Sequence, residues 1–226
     1  MLVTFDLFSA LIDSRTGASR VLAAIATAYG WPIEGALLYD EWDARNKASQ
    51  RDEPEWIPFA EHCSRSLAAT YADLGLIGRP AVDTAVLLDS VGGWPLWPDV
   101  AAGLPALTAR YRVGVLSNVD DDVFARTAVA PLVPDEAVLT SERLRAYKPH
   151  PEIYQRARER AGGDLVHVAT SARDVAGALE AGIEVVHLRR PGHTVHPDGR
   201  QPAVDAGDLA QVSEALGRRD TEKRSS

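Results

Sequence analysis

The chain has 226 residues, enough for one full α/β domain with an inserted subdomain and too few for two large domains. Its 46% hydrophobic and 25% charged content is that of an ordinary globular protein, and a net charge of -8 argues against nucleic acid or an anionic membrane as the main partner, though not against a small anionic substrate. One cysteine, Cys63, excludes a disulfide framework and a cysteine-built metal cluster; no apolar run approaches a membrane span, and the N-terminus reads as a strand rather than a signal peptide, so the expected location is cytoplasmic.

Residues 2–8 form a short apolar run, rich in β-branched and aromatic side chains and interrupted by Asp6. Such a run reads as a buried strand, with Asp6 towards the end at which open parallel sheets place their ligand crevice. Taken alone, Asp6 is more simply read as a helix N-cap or a surface acid. Residues 16–29 carry Val21, Leu22, Ile25 and Tyr29 at helical spacing, with Gly30 as a stop signal. Leu38, Trp42 and Arg45 share one face of a second helix. A third, starting at Pro54, repeats Trp56, Phe59, Cys63, Leu67, Tyr71 and Leu74; its aromatic stripe of Trp56, Phe59 and Tyr71 is read as packing, not as a substrate box. A shorter helix covers Val82 to Val91. The block 14–94 is therefore helical, without a strand.

Beyond it the pattern alternates. Helices are expected at 99–110, 121–128, 151–161, 173–181 and 208–216, and strands at 112–116, 137–140, 165–168 and 184–188. This alternation implies a parallel sheet with right-handed crossovers. The predicted architecture is α/β: a Rossmann-like parallel-sheet core from 1–13 and 95–217, with 14–94 inserted as an α-helical cap over the sheet's C-terminal edge. Residues 191–202 read as loop and 218–226 as a disordered tail.

Only Lys47, Lys148 and Lys223 are lysines among the 24 Lys+Arg residues. Lys148 stands just before a Pro-capped helix, in Ala-Tyr-Lys-Pro-His-Pro-Glu-Ile-Tyr. A compact ammonium on a flexible stem suits holding one buried carboxylate ionised, although a surface ion pair would also explain it. Four strand ends or loops thus carry Asp6, Ser117 with Asn118, Lys148, and Asp174. A parallel sheet brings such ends to one crevice. Asp174 by itself could equally be a helix N-terminal acid favoured by the dipole.

In that order, these groups resemble the four motifs of the haloacid dehalogenase-like (HAD) hydrolase superfamily, and the resemblance covers nearly the whole chain. It rests on Leu-Ser-Asn at 116–118, Lys-Pro-His-Pro-Glu-Ile-Tyr at 148–154 and Asp-Val-Ala-Gly-Ala-Leu-Glu-Ala-Gly at 174–182. The resemblance implies that Asp6 is a nucleophile forming a covalent ester or acyl phosphate. Lys148 would keep it ionised. Ser117 and Asn118 would hydrogen-bond the substrate, and Asp174 would orient Lys148 and help activate the hydrolytic water.

Most members of that superfamily are magnesium-dependent phosphatases with a second aspartate two residues after the nucleophile. Here Phe8 stands there. An alkoxide needs a proton to leave, whereas chloride or bromide does not. The carboxylate that phosphatases place four or five residues before the last acid is also missing, since Ala169 and Thr170 occupy those positions. That leaves a thin oxygen set for octahedral magnesium.

The 2-haloacid dehalogenase branch fits better. It has an aromatic residue at the place of Phe8 and a tyrosine at that of Tyr154. Ser171 falls in its last motif, and Trp42-Asp-Ala-Arg45-Asn-Lys47 resembles the cap segment whose arginine receives halide and carboxylate. Arg45 reads equally well as a solvated helix residue. The departures are Ala10 for a threonine, Ala169 and Ser171 for a serine and an asparagine, and Arg173 for a tryptophan.

The expectation is a hydrolase without metal or other cofactor that displaces halide from a small 2-haloalkanoic acid. One alternative is a magnesium-dependent phosphatase or phosphonatase with Asp6 and Asp174 as metal ligands. Another is a non-catalytic HAD-fold binding protein, against which the retained Asp6 and Lys148 argue. The six histidines, at 62, 150, 167, 187, 193 and 196, show no metal-ligand spacing. A homodimer is compatible with the sequence.

Overall fold

The computed structural model describes residues 1–53 and 55–225, with side chains through Lys223. Its first strand, β1 (Leu2–Phe5), is wholly buried. Val3 and Phe5 face one apolar core and Leu2 the other, as the two-residue period of a strand requires. The strand stops three residues before the sequence expectation. Asp6 turns its carboxylate onto the Ser9 N–H, and Leu7–Leu11 wind into a single π-helical turn. A local side chain has here outcompeted the sheet for the backbone.

Five further strands join it: β2 (Arg112–Ser117), β3 (Val138–Thr140), β4 (Leu165–Ala169), β5 (Glu184–Leu188) and β6 (Val204–Ala206). The sheet order is β3-β2-β1-β4-β5-β6, and every pairing is parallel. The chain builds outwards on one side of β1 and then crosses to the other, so β1, β2 and β4 meet at a topological switch point. Their C-terminal ends open there into a crevice. The edge strand β6 carries no sequence signal, being three residues long with an acid in the middle.

Between β1 and β2 the chain forms α1 (Ser14–Tyr29), α2 (Gly35–Asp52), α3 (Phe59–Asp73) and α4 (Pro80–Asp89). Each packs on the next. Gly35 lets α1 and α2 approach, since a Cβ there would lie 2.1 Å from the Ser19 carbonyl oxygen. The third helix begins at Phe59; its expected start at Pro54 lies outside the described residues. An isolated antiparallel bridge, Ile12 with Leu96, joins the outgoing and returning chain at the neck of this insert.

The remaining helices are α5 (Val100–Thr108), α6 (Asp121–Ala125), α7 (Ser141–Leu144), α8 (Pro151–Ala161), α9 (Ala172–Glu180) and α10 (Leu209–Ser225). Helix α10 runs on through residues 218–225 of the segment expected to be a disordered tail. Arg219 explains it, with Nη2 at 2.7 Å from Asp164 and Nε at 2.7 Å from Glu184. One apolar core continues from the sheet into the helical insert, through Phe5, Val115, Leu22, Leu38 and Leu67. The second fills the opposite face of the sheet, around Leu2, Leu116, Ile153 and Val175.

Candidate active site

Asp6 is placed by the end of β1, where its backbone N–H still donates to Val168 O of β4 at 3.0 Å. Lys148 reaches it from the loop before α8. Its Nζ lies 2.7 Å from Asp6 Oδ1, 2.5 Å from Asp174 Oδ2 and 3.0 Å from the Leu116 carbonyl, so one ammonium satisfies two acids and a strand end. The other oxygen of Asp6 accepts from both the hydroxyl and the backbone N–H of Ser9. Residues distant in sequence, 6, 148 and 174, are thereby brought to one point.

The electrostatics follow from burial and charge together. Burial pushes the Asp6 carboxyl up, but Lys148 outweighs it and leaves Asp6 below its ordinary value. Asp174 is likewise buried, and the charges and hydrogen bonds of Lys148 and His167 hold it well below the usual carboxylate range. Lys148 goes the other way. Burial would lower it, yet the two carboxylates raise it above its ordinary value. At neutral pH the trio is two carboxylates and one ammonium.

Behind Asp174 stands a buried support. Tyr154 donates its hydroxyl to Asp174 Oδ1 at 2.7 Å. Burial and the adjacent acid push that hydroxyl well above its ordinary pKa, so it remains a donor. His167 Nε2 lies 3.1 Å from Asp174 Oδ2, and its Nδ1 lies 3.0 Å from the Thr4 hydroxyl. A carboxylate can only accept, so Nε2 carries the hydrogen. Thr4 and His167 are register partners on β1 and β4, which is why they meet.

Asn118 lines the cavity and also holds Lys148. Its Oδ1 accepts the Lys148 N–H at 2.7 Å, and its Nδ2 donates to the Lys148 carbonyl at 2.9 Å and to Gln50 of α2 at 2.8 Å. Neighbouring Ser117 also lines the cavity, but its Oγ is buried without a partner among the described residues. Its hydroxyl has hydrogen-bonding capacity left over.

The cavity lies between sheet and insert and measures about 100 Å³. Drug-sized pockets run to roughly 300–1,000 Å³, so this one suits a molecule of a few heavy atoms. One wall is apolar and aromatic: Phe8 stacks on Phe59 with centroids 6.0 Å apart and meets Trp94 at 5.8 Å, beside Tyr39, Trp42 and Leu88. Of the aromatic stripe read as packing, Phe59 therefore belongs to the cavity. Tyr71 packs edge-on to Trp31 inside the insert, and Trp56 lies under the Arg145 guanidinium. The opposite wall carries Asp6, Ser117, Lys148, Ser171, Arg173 and Asp174.

Two residues expected at the substrate stand elsewhere. Arg45 points outwards, with Nη1 2.5 Å from Glu41 and Nη2 2.8 Å from Asp73, and does not line the cavity. The buried stripe of α2 is Leu38, Trp42, Asn46 and Gln50, so Arg45 lies one residue, about 100° of helical turn, off it. Tyr154 is also outside the cavity, locked behind Asp174. Ser171 lines it while accepting the Asp174 N–H as N-cap of α9.

Sequence reasoning missed Ser9, Asn46, Gln50, Arg173 and His193 as site residues. The fours spacing of Trp42, Asn46 and Gln50 was a usable signal. His193 comes from the loop at 191–202, where nothing marks one histidine above another; burial lowers its pKa below the ordinary 6.5.

Magnesium fits this arrangement poorly. All four oxygens of Asp6 and Asp174 already accept from Lys148, Ser9, Tyr154 or His167. The ammonium fills the space between the two acids, and residues 169 and 170 are Ala and Thr. Among the described residues no three His, Cys, Asp or Glu side chains form a metal group. Octahedral coordination needs more unclaimed oxygens than these.

Comparison with known proteins supplies the lineage. A family model for the haloacid dehalogenase-like hydrolases matches residues 1–182. The chain is 33% identical over 103 residues to (S)-2-haloacid dehalogenase 4A of Burkholderia cepacia, a match spanning 43% of this chain and 45% of that protein's length. It is 25% identical over 206 residues to (S)-2-haloacid dehalogenase of Xanthobacter autotrophicus, spanning 83% of this chain and 74% of that protein. The structure of L-2-haloacid dehalogenase from Xanthobacter autotrophicus with chloropropionic acid covalently bound shares the fold, with a TM-score of 0.80, 20% identity and coverage of 95% of this chain and 97% of that one. With a matching family model over most of its length, the chain belongs to the haloacid dehalogenase-like hydrolases.

Proposed function

We propose that this hydrolase is a 2-haloacid dehalogenase acting through an aspartyl ester. The observation that carries the reading is Lys148 between Asp6 and Asp174, with Phe8 where a general acid would stand. Such a site offers an ionised nucleophile and, with Phe8 at that position, no carboxylic acid beside it to protonate the first leaving group. It suits a group that departs as a stable anion. Relatives named as 2-haloacid dehalogenases, one with chloropropionic acid covalently bound, support the same substrate class.

In this reading, an Asp6 carboxylate oxygen attacks C2 of the substrate from the side opposite the halogen. The new C–O bond forms as the carbon–halogen bond breaks, and the electron pair leaves with the halide. The aromatic wall of Phe8, Phe59 and Trp94 keeps bulk water from the reacting carbon. Water then adds to the carbonyl carbon of the Asp6 ester, with Asp174 helping to activate it. The acyl C–O bond of the ester breaks, the departing 2-alkoxide takes up the proton given up by the water, and the 2-hydroxy acid leaves with Asp6 regenerated carrying one oxygen from water. Lys148 holds the Asp6 carboxylate ionised before attack. The phosphatase reading is not favoured, because Phe8 stands where its general acid would and Ala169 and Thr170 supply no further carboxylate for magnesium. The binding-protein reading leaves the buried charged trio without a use.

Among the described residues no helix is long and apolar enough to cross a membrane. A chain with one buried cysteine has no need of an oxidising compartment, and we place the activity in the cytoplasm.

The test is halide release from each enantiomer of 2-chloropropionate and 2-bromopropionate, joined to a single turnover in heavy-oxygen water. Label appearing in Asp6 before it appears in the product supports the ester. Halide release with label only in the product removes the covalent step, and no halide from any of these substrates removes the activity.

A further inference from the structure

Arg173 lines the cavity from the first turn of α9, next to Asp174. Its Nη1 donates to the Lys47 carbonyl at 2.9 Å and its Nη2 to Gln50 Oε1 at 3.3 Å. Both acceptors are neutral. Burial pushes the guanidinium below its ordinary pKa despite Asp174 and Asp43 nearby, the signature of a cation short of compensating charge.

The other cavity cations are already served. Lys148 is divided between Asp6 and Asp174, and Lys47 lies 2.5 Å from Asp43. Arg45, which the sequence suggested for receiving an anion, is satisfied on the surface by Glu41 and Asp73. Among the described residues, Arg173 is the cavity cation with no carboxylate within ion-pair distance. A half-buried guanidinium with no carboxylate partner is costly in an empty site and favourable once an anion arrives. Its planar fork also matches a carboxylate in two-point geometry.

We infer that Arg173 is the residue that binds the substrate's carboxylate, and that it sets the requirement for an anionic substrate. The inference rests on the proposed dehalogenase reading for the identity of the acid, but the binding step stands apart from halide release. The receiving charge then belongs to α9 on the sheet rather than to the helical insert. It is fixed relative to Asp6 through the same segment that carries Asp174.

A purely structural role is the competing explanation, because both existing bonds of Arg173 reach α2 and tie insert to sheet. Charge selectivity separates the two. Lactate and lactamide, the product-like acid and its uncharged amide, are titrated into wild type and Arg173→Gln by calorimetry. Lactate binding should weaken about 10–100-fold in the variant, the range expected for losing a charge-assisted pair, while lactamide binding stays within about twofold. Unchanged lactate affinity, a parallel loss of both ligands, or no lactate binding to the wild type would each overturn the proposal. If the variant does not fold, a crystal of wild type with lactate decides the matter. A carboxylate oxygen on the Arg173 guanidinium supports it, and a carboxylate seated elsewhere overturns it. Halide release by the wild type reports separately on the dehalogenase reading.

Discussion

Asn118 grips both polar backbone groups of Lys148, accepting its N–H at 2.7 Å and donating to its carbonyl at 2.9 Å. The strand-end asparagine thus fixes where the ammonium's stem begins, some distance from the charges the ammonium serves. Asn118→Ala should leave both groups without these partners and let Lys148 swing. We expect turnover to fall by about tenfold or more and stability by about 1–3 kcal/mol, the cost of an unsatisfied buried pair of groups. Initial rates beside urea denaturation would check both figures. Full activity in a folded variant would remove Asn118 from the positioning of Lys148.

Lys148→Met leaves two buried carboxylates facing each other. The loss should be about 3–5 kcal/mol at neutral pH, as for a buried pair stripped of one partner. The sign with pH is fixed by the directions of the shifts. Asp6 and Asp174 are depressed, so in the wild type their contribution is complete above the ordinary value of 3.8 and is lost as pH falls towards their folded values. Lys148 is raised, so its contribution is complete below 10.5 and is lost as pH rises through its folded value. The stability gap between wild type and variant should therefore be widest between these limits and close in acid. Denaturation series across pH would show it, and a gap independent of pH would contradict the charged trio.

Tyr154→Phe removes a hydroxyl from Asp174 and little else, since the ring is fully buried. About 1.5–3 kcal/mol of stability should be lost, the usual value for a hydrogen bond to a charged group. Substrate KM should hold within about twofold, because Tyr154 does not line the cavity. A large rise in KM with unchanged stability would restore it to substrate binding.

Arg45→Gln breaks two ion pairs on the surface of α2. Their side chains are partly exposed, and solvent screening limits the effect to about 1 kcal/mol or less. Kinetic constants should stay within about twofold of wild type. A specific loss of affinity for the acid substrate, absent in Arg173→Gln, would return the anion-binding role to the insert.

How far the residues alone carried these conclusions can be seen along α2. The sequence places the helix and its buried Leu38 and Trp42, since four-residue spacing needs no tertiary information. Choosing among Arg45, Asn46 and Lys47 requires the rotation of that helix about its own axis. Only packing against α1 and α3 fixes it, and Asn46 and Gln50, not Arg45, turn inwards. The same holds at residue 173, where the sequence records a lost tryptophan. Only the surroundings show a guanidinium without an acid.

The sequence by itself determined five of the six strands, the helical block between the first two, and the placing of Asp6, Ser117, Lys148 and Asp174 at strand ends, a loop or a helix start. Hydrophobic period and short motifs are local, and a parallel sheet orders its strand ends by chain rule. Tertiary structure alone decided which polar side chains meet. Thr4 finds His167 through strand register, and Ser9 reaches Asp6 through a π-helical turn. Distances between groups 142 residues apart, such as Lys148 and Asp6, come from the closing of the whole sheet. No stretch of neighbouring residues encodes them.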